Sequence, residues 1–216
     1  MDLPLFPLNT VLFPGATLPL HIFEARYKQM IAECLEHQRP FGVVLIRSGE
    51  EAGAAAEPFE IGTTAHISSV ERLDDGKMNV ICTGGQRFRI VKTISDAPYL
   101  KAKVELIETA TASDPADTDL AGEATILFAE YTRLYLAMTN QWSRSTDLPN
   151  NPQALANFIG SQLPVAPSTK QKLLEEFSAS TQLDMEKRLL GAANRQLTSQ
   201  LKTSRDARWH GLAVMN

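Results

Sequence analysis

The first half of the chain, from Leu3 to about Glu108, alternates short apolar runs with turn-forming residues. Runs rich in β-branched and aromatic residues predict strands. They cover 18–23, 42–47, 63–73, 78–83, 88–94 and 100–107. In the last run, apolar and charged residues alternate, which is typical of a strand with one buried and one solvated face. This half is therefore predicted to be mainly β-structure.

Turn-forming residues separate these runs. The sequence Asp74-Asp75-Gly76 predicts a hairpin, because Gly accepts the positive φ that tight hairpin turns need. Gly84-Gly85 predicts a second positive-φ turn, ahead of the Phe88 strand. Residues 49–58 are small, acidic and without periodicity, which predicts a mobile surface loop that is a candidate gate or contact loop.

One helix is predicted among the strands, between Glu24 and His37, and it stops before Pro40. Residues 109–119 then lack the large apolar side chains that form a core. Beyond them, apolar spacing predicts helices over 120–138, 152–163, 168–177 and 181–208. We therefore predict a β domain at 1–110, a linker at 111–119 and a helical bundle at 120–216.

Composition and charge narrow the classes of protein. The chain has 216 residues, 44% of them hydrophobic, and a net charge of −4, so a folded protein without general attraction for nucleic acids or anionic membranes is expected. Two cysteines, Cys34 and Cys82, are too few for a disulfide framework and suit a reducing cytoplasm. No secretory signal or membrane-spanning run is apparent, so a soluble cytoplasmic protein is expected.

Two motifs carry a family resemblance. The first runs from Leu3 to Tyr27, and its marked residues are Pro7, Pro14, Gly15, Phe23, Glu24, Arg26 and Tyr27. The second is G-x-x-R-F-x-I, with Gly84, Arg87 and Phe88. Together they resemble the signatures of the Lon N-terminal, substrate-binding domain family. Ala25 stands where many members have proline, a mild departure because the first helical position accepts either.

The resemblance implies a fold and a function. The fold is α+β: a PUA-like, mostly antiparallel β-barrel or pseudo-barrel with one helix, followed by an α-helical bundle. The function is recognition of unfolded or tagged polypeptides, without cofactors. No phosphate-binding loop is present, since Gly76-Lys77 is followed by Met78, and no serine-lysine protease segment is found. A stand-alone, non-catalytic binding protein of unknown oligomeric state is therefore expected, with a separate ATPase or protease as a possible partner.

The contact surface is predicted at Phe13, Leu18, Ile22 and the loop near Glu51. For the prolines of the first motif and for Phe6, Phe13 and Phe23, a structural role is favoured over binding, because aromatics supply core area and proline blunts strand edges. Glu24 and Arg26 or Arg87 suggest an ion pair rather than acid-base catalysis. The four histidines are scattered, so no metal site is expected.

Further alternatives stay open. Arg87, Arg89 and Lys92 form a small basic cluster, so the alternative function is RNA binding through the barrel, although a solvated strand face is the favoured explanation of the cluster. An uncharacterised enzyme is the third reading and requires a deep pocket. Leu183, Leu190 and Leu197 fit either a coiled-coil surface or a bundle core, and Trp209 either docks or meets a partner.

Overall fold

The computed structural model describes residues 1–49, 56–74, 76–94, 98–108, 115–139 and 147–213, without the side chains of 115–116 and 204–213. The strands are β1 (Asp2–Leu8), β2 (Thr17–Ile22), β3 (Phe41–Ser48), β4 (Glu57–Pro58), β5 (Ile61–Arg72), β6 (Met78–Ile94) and β7 (Lys101–Leu106). The helices are α1 (Ala25–Glu36), α2 (Pro115–Thr139), α3 (Pro152–Gln162), α4 (Pro167–Glu175) and α5 (Ala179–Ala213). The expected α+β class is confirmed.

The chain divides into two compact units. The first contains Met1–Thr111 and Gly160–Phe177, and the second contains Ala112–Ile159 and Ser178–Asn216. Helix α4 is therefore grouped with the strands, and the side-chain amide of Gln171 donates a buried 3.0 Å hydrogen bond to the Ile61 carbonyl. This bond holds α4 against β5 within the first unit.

The first unit is built on a large, mostly antiparallel sheet in the order β1-β7-β6-β5-β3-β4. Strand β1 pairs antiparallel with β7 and also parallel with β3, so the pairing path returns to its first strand. Strand β2 lies off this path and pairs with β6. The finer PUA-like assignment stays a prediction.

Helix α1 forms as its spacing predicts. Its buried residues are Tyr27, Met30, Ile31 and Cys34. They join the main apolar cluster with Phe6, Phe41 and Val80, while Leu5 and Phe88 belong to a second cluster. The two clusters give this unit its own core.

The predicted turn at Gly84-Gly85 is wrong. Both glycines lie inside β6, a single strand from Met78 to Ile94, and neither has a positive φ. A Cβ at Gly84 would lie 2.2 Å from the carbonyl oxygen of Phe13, and one at Gly85 would lie 2.5 Å from Thr64 Oγ1. The two glycines therefore allow close approach of neighbouring chain segments. The other predicted turn holds, since Gly76 has φ +72°.

The second unit has a helical core. Its buried apolar residues are Ala121, Ala124, Phe128, Tyr131 and Leu134 on α2, Leu155, Ala156 and Ile159 on α3, and Leu183 and Leu190 on α5. The rings of Phe128 and Phe158 meet edge to face with centroids 5.7 Å apart. Burial of Leu183 and Leu190 favours the bundle interpretation of the α5 leucines. The side chain of Trp209 lies outside the described residues.

Candidate functional site

The predicted contact residues take three different positions. Phe13 and Ile22 are fully buried, and Leu18 is half-buried against the main apolar cluster. Because such side chains offer little surface to a partner, the structure places them in the core rather than on a contact surface. Glu51 lies outside the described residues. The alternation of β2 explains this outcome, since Leu18, Leu20 and Ile22 share its inner face.

The opposite side of β2 is exposed and forms what we call the β2–β6 face. It consists of the side chains of Pro19, His21, Phe23, Asn79 and Ile81. Pro19 is opposite Ile81 and His21 is opposite Asn79 in the antiparallel register. Phe23 is 55% exposed and Ile81 is 43% exposed, and both are large apolar side chains. The core position predicted for Phe23 is therefore wrong, because Phe23 follows β2 on its exposed side. The face therefore presents apolar surface to solvent beside polar groups.

A row of hydrogen bonds fixes the polar part of this face. His21 Nδ1 and Asn79 Oδ1 are 2.9 Å apart, and Asn79 Nδ2 donates to Glu71 Oε2 at 2.9 Å. The ring centroids of His21 and Phe23 are 6.2 Å apart. The row crosses β2, β6 and β5, so three strands hold the side chains around the apolar residues in place.

The first motif serves structure around the start of α1. Arg26 Nε donates to Glu24 Oε2 at 2.9 Å, so Arg26 is the partner of Glu24 here. The Arg26 guanidinium lies 4.5 Å from the centroid of Tyr27, whose ring stacks on Phe6 with centroids 4.0 Å apart. These contacts give Glu24, Arg26 and Tyr27 a structural role in the motif that needs no acid-base catalysis.

The segment before β2 connects the two motifs. The N–H of Gly15 donates to the Gly84 carbonyl, and the N–H of Gly84 donates to the Ala16 carbonyl, both at 2.8 Å. Gly15 has φ +78°, a conformation that favours glycine. Pro7 is buried within β1 opposite Val44, and Pro14 precedes the Gly15 turn. The motif residues therefore fix the main chain that leads into β2.

Arg87 lies in the interior rather than in an exposed basic cluster. Its side chain is 2% exposed, and its guanidinium is 6.0 Å from the Phe177 ring centroid. Arg89 and Lys92 are exposed, while Phe88 is fully buried in the second apolar cluster. Sequence alternation missed the burial of Arg87, because residues distant in sequence cover this part of β6.

A groove in the second unit runs between α2 and α5. It has a volume of about 450 Å³, and its lining includes Leu127, Glu130, Asn194, Arg195, Thr198 and Lys202. The amide of Asn194 donates to the Leu127 carbonyl at 3.0 Å. Since its charged side chains have both signs, the groove does not favour a ligand of one charge.

In the described part of the chain, no three His, Cys, Asp or Glu side chains converge as metal ligands would. Nor is any helix in the described ranges long and apolar enough to cross a membrane. Cys34 and Cys82 are free buried thiols, and burial raises the pKa of Cys82 to about 12.

The chain is similar in sequence to known Lon proteases. Residues 2–191 match the model of the ATP-dependent protease La (LON) substrate-binding domain. The chain is similar to Lon protease 2 of Myxococcus xanthus, with 29% identity over 87% of this chain and 23% of the relative. It is also similar to the Lon protease of Paraburkholderia phytofirmans, with 30% identity over 82% of this chain and 22% of the relative. The chain thus spans less than a quarter of either relative.

Solved structures give the same fold. A Lon N-terminal domain protein from Xanthomonas campestris matches with a TM-score of 0.65 and 27% identity, covering 85% of this chain and 95% of that chain. The N-terminal domain of a Mycobacterium avium complex Lon protease matches in fold, with a TM-score of 0.65 and 19% identity over 88% of this chain and 98% of that chain. This chain belongs to the LON substrate-binding domain family.

Proposed function

We propose that this chain binds exposed apolar segments of unfolded or tagged polypeptides and performs no chemistry on them. The observation that carries the proposal is the β2–β6 face, where Pro19 and Ile81 on paired strands and Phe23 directly after β2 are exposed. Exposed aromatic side chains supply large contact area when they bind, because they lose little conformational entropy. The family name, a substrate-binding domain, supports the same role.

The polar row beside the apolar residues suits such a ligand. His21, Asn79 and Glu71 are already hydrogen-bonded to one another, so they need no rearrangement when a partner arrives. A small apolar surface with a polar border is typical of a transient protein-protein contact. We expect affinities in the micromolar range, with low sequence specificity.

The proposal extends to partners and location. The longer relatives of this chain are Lon proteases. The partner that would act on the bound segment is therefore an ATPase or protease, either separate or on the same polypeptide. The free thiols of Cys34 and Cys82 suit the reducing cytoplasm. RNA binding has less support, because the buried Arg87 leaves Arg89 and Lys92 as the exposed members of the predicted basic cluster.

The experiment is a fluorescence-anisotropy titration of the purified protein in a salt series. The two labelled probes are a single-stranded RNA and a polypeptide whose cysteines are reduced and carboxymethylated, so that it cannot fold. We expect polypeptide binding that persists from about 50 to 200 mM salt, because apolar contacts are weakly screened. Binding of the RNA alone, falling steeply with salt, contradicts the proposal.

A further inference from the structure

Strand β2 has a strand neighbour on one side. Over the part of the chain that the structure describes, it pairs with β6 alone, from Thr17 opposite Thr83 to Ile22 opposite Met78. In a strand, the N–H and C=O of one residue point to the same side, and the side alternates along the chain. The direction of one main-chain hydrogen bond therefore fixes the direction of every N–H and C=O group in β2.

The bond from the Gly84 N–H to the Ala16 carbonyl supplies that direction. Ala16 points its carbonyl toward β6, so Leu18 and Leu20 do the same. The main-chain groups of Thr17, Pro19 and His21 then point away from β6. Pro19 fits this alternation, because it has no N–H and a place facing away from β6 costs the sheet no hydrogen bond.

The outer edge of β2 consequently carries a defined set of groups. The N–H groups of Thr17 and His21 are donors, and the carbonyls of Thr17, Pro19 and His21 are acceptors. The side chains of the same three residues are exposed, and Phe23 follows on the same side of the strand. These groups are complementary to the main chain of an extended polypeptide.

We infer that an extended segment of the bound polypeptide, about five residues long, pairs with the outer edge of β2 as an added strand. The inference rests on the proposed function and assigns its binding mode. Main-chain bonds hold segments of different sequence, while the exposed Phe23 at the end of β2 favours segments with apolar side chains on the exposed side. The missing donor at Pro19 keeps the pairing weak and reversible.

A second copy of the chain fits this edge less well. If two β2 strands paired antiparallel about Pro19, two prolines would face each other and the centre of the ladder would have no donor. Proline in an edge strand limits such self-association. A heterologous segment with N–H groups at every position still provides a donor for the Pro19 carbonyl.

Amide hydrogen exchange, followed by NMR, tests the inference directly. In the free protein, we expect the Thr17 and His21 amides to exchange faster than that of Leu20, which is bonded to β6. Saturation with the carboxymethylated polypeptide should slow Thr17 and His21 at least about tenfold and change Leu20 less. Binding without slower exchange at Thr17 and His21 overturns the inference but leaves the proposed function standing. Absence of binding removes both.

The variant Pro19→Val provides a second test by restoring the missing N–H. We expect it to bind the same polypeptide about two- to tenfold more tightly, the range for one added hydrogen bond. Unchanged or weaker binding by a folded variant overturns the inference. So does a dimer in size-exclusion chromatography of the wild type whose Thr17 and His21 amides are protected without the polypeptide.

Discussion

The hydroxyl of Tyr99 donates a 2.5 Å hydrogen bond to Glu33 Oε2, joining the segment before β7 to helix α1. Tyr99 is 3% exposed, and Glu33 also accepts hydrogen bonds from Gln29 at 3.0 Å and Arg39 at 3.2 Å. One carboxylate thus connects α1 to two segments that follow it in the chain. The contact belongs to the scaffold behind the sheet rather than to the β2–β6 face.

Replacing Tyr99 with Phe should lower the free energy of unfolding by about 1.5–3 kcal/mol, the range for a hydrogen bond to a charged group. The ring and its packing stay, so the loss comes from the bond to Glu33. Urea unfolding of the wild type and the variant measures the difference. The variant Tyr135→Phe is the matched control, because Tyr135 is 45% exposed and should change stability little. Equal losses in both variants would contradict the assignment.

The same pair predicts a pH dependence. The hydrogen bond from Tyr99 is the main cause that lowers the pKa of Glu33 in the folded protein, followed by the bond from Gln29. A carboxyl with a lowered folded-state pKa stabilises the protein above its unfolded-state pKa, and this stability disappears as pH falls through the folded-state pKa. The wild type should therefore lose stability below about pH 4.5, and Tyr99→Phe should lose less. Parallel pH profiles for the two proteins would be inconsistent with this coupling.

A substitution at Gly84 tests the close approach between β6 and the segment before β2. A Gly84→Ala substitution places a Cβ 2.2 Å from the Phe13 carbonyl oxygen, so the segment before β2 must move. We expect a loss of stability of about 2–4 kcal/mol and a lower melting temperature. Gly122→Ala is the control, since a Cβ there meets no atom within 4 Å and Ala favours the α2 helix by about 1 kcal/mol. The two variants should shift the melting temperature in opposite directions.

The cysteines should be unreactive in the folded protein. Burial raises the pKa of Cys82 to about 12, and burial also raises the pKa of Cys34. The thiolate is the reactive form, so a thiol-specific chromogenic reagent at pH 8 should label neither residue until urea unfolds the protein. Rapid labelling of one thiol in the native state would show that its site opens.

Secondary-structure elements were easier to predict from the sequence than the residues that lie exposed on the surface. Periodicity located α1, and apolar runs located β2, β3, β5 and β7. Strands β1 and β4 were not among the predicted runs, and the single strand β6 was predicted as two. Two of the predicted contact residues, Leu18 and Ile22, lie on the inner face of β2, and the exposed face of β2 was not predicted. Short apolar runs do not reveal which side is covered, since that depends on the apolar cluster that packs on the inner face of β2.

Two other outcomes depended on contacts between distant residues. Gly84-Gly85 has the composition of a turn, but the Phe13 carbonyl and Thr64 occupy the space beside it, and β6 continues through both glycines with a shift in its register against β5. Arg87 alternates with the apolar residues Phe88 and Ile90 in the sequence, which predicts a solvated side chain, yet its side chain lies beside Phe177. Local patterns cannot report contacts made across about ninety residues of chain.

The most direct measurement of the central claim compares two exposed apolar residues in one binding assay. Phe23→Ser changes the β2–β6 face, whereas Val91→Ser removes a side chain that is 51% exposed elsewhere on β6. Both variants should keep the wild-type melting temperature, because neither side chain is buried. The polypeptide-binding account predicts an affinity for the carboxymethylated polypeptide at least about fivefold weaker for Phe23→Ser and unchanged for Val91→Ser. Equal affinity of Phe23→Ser and the wild type would contradict it.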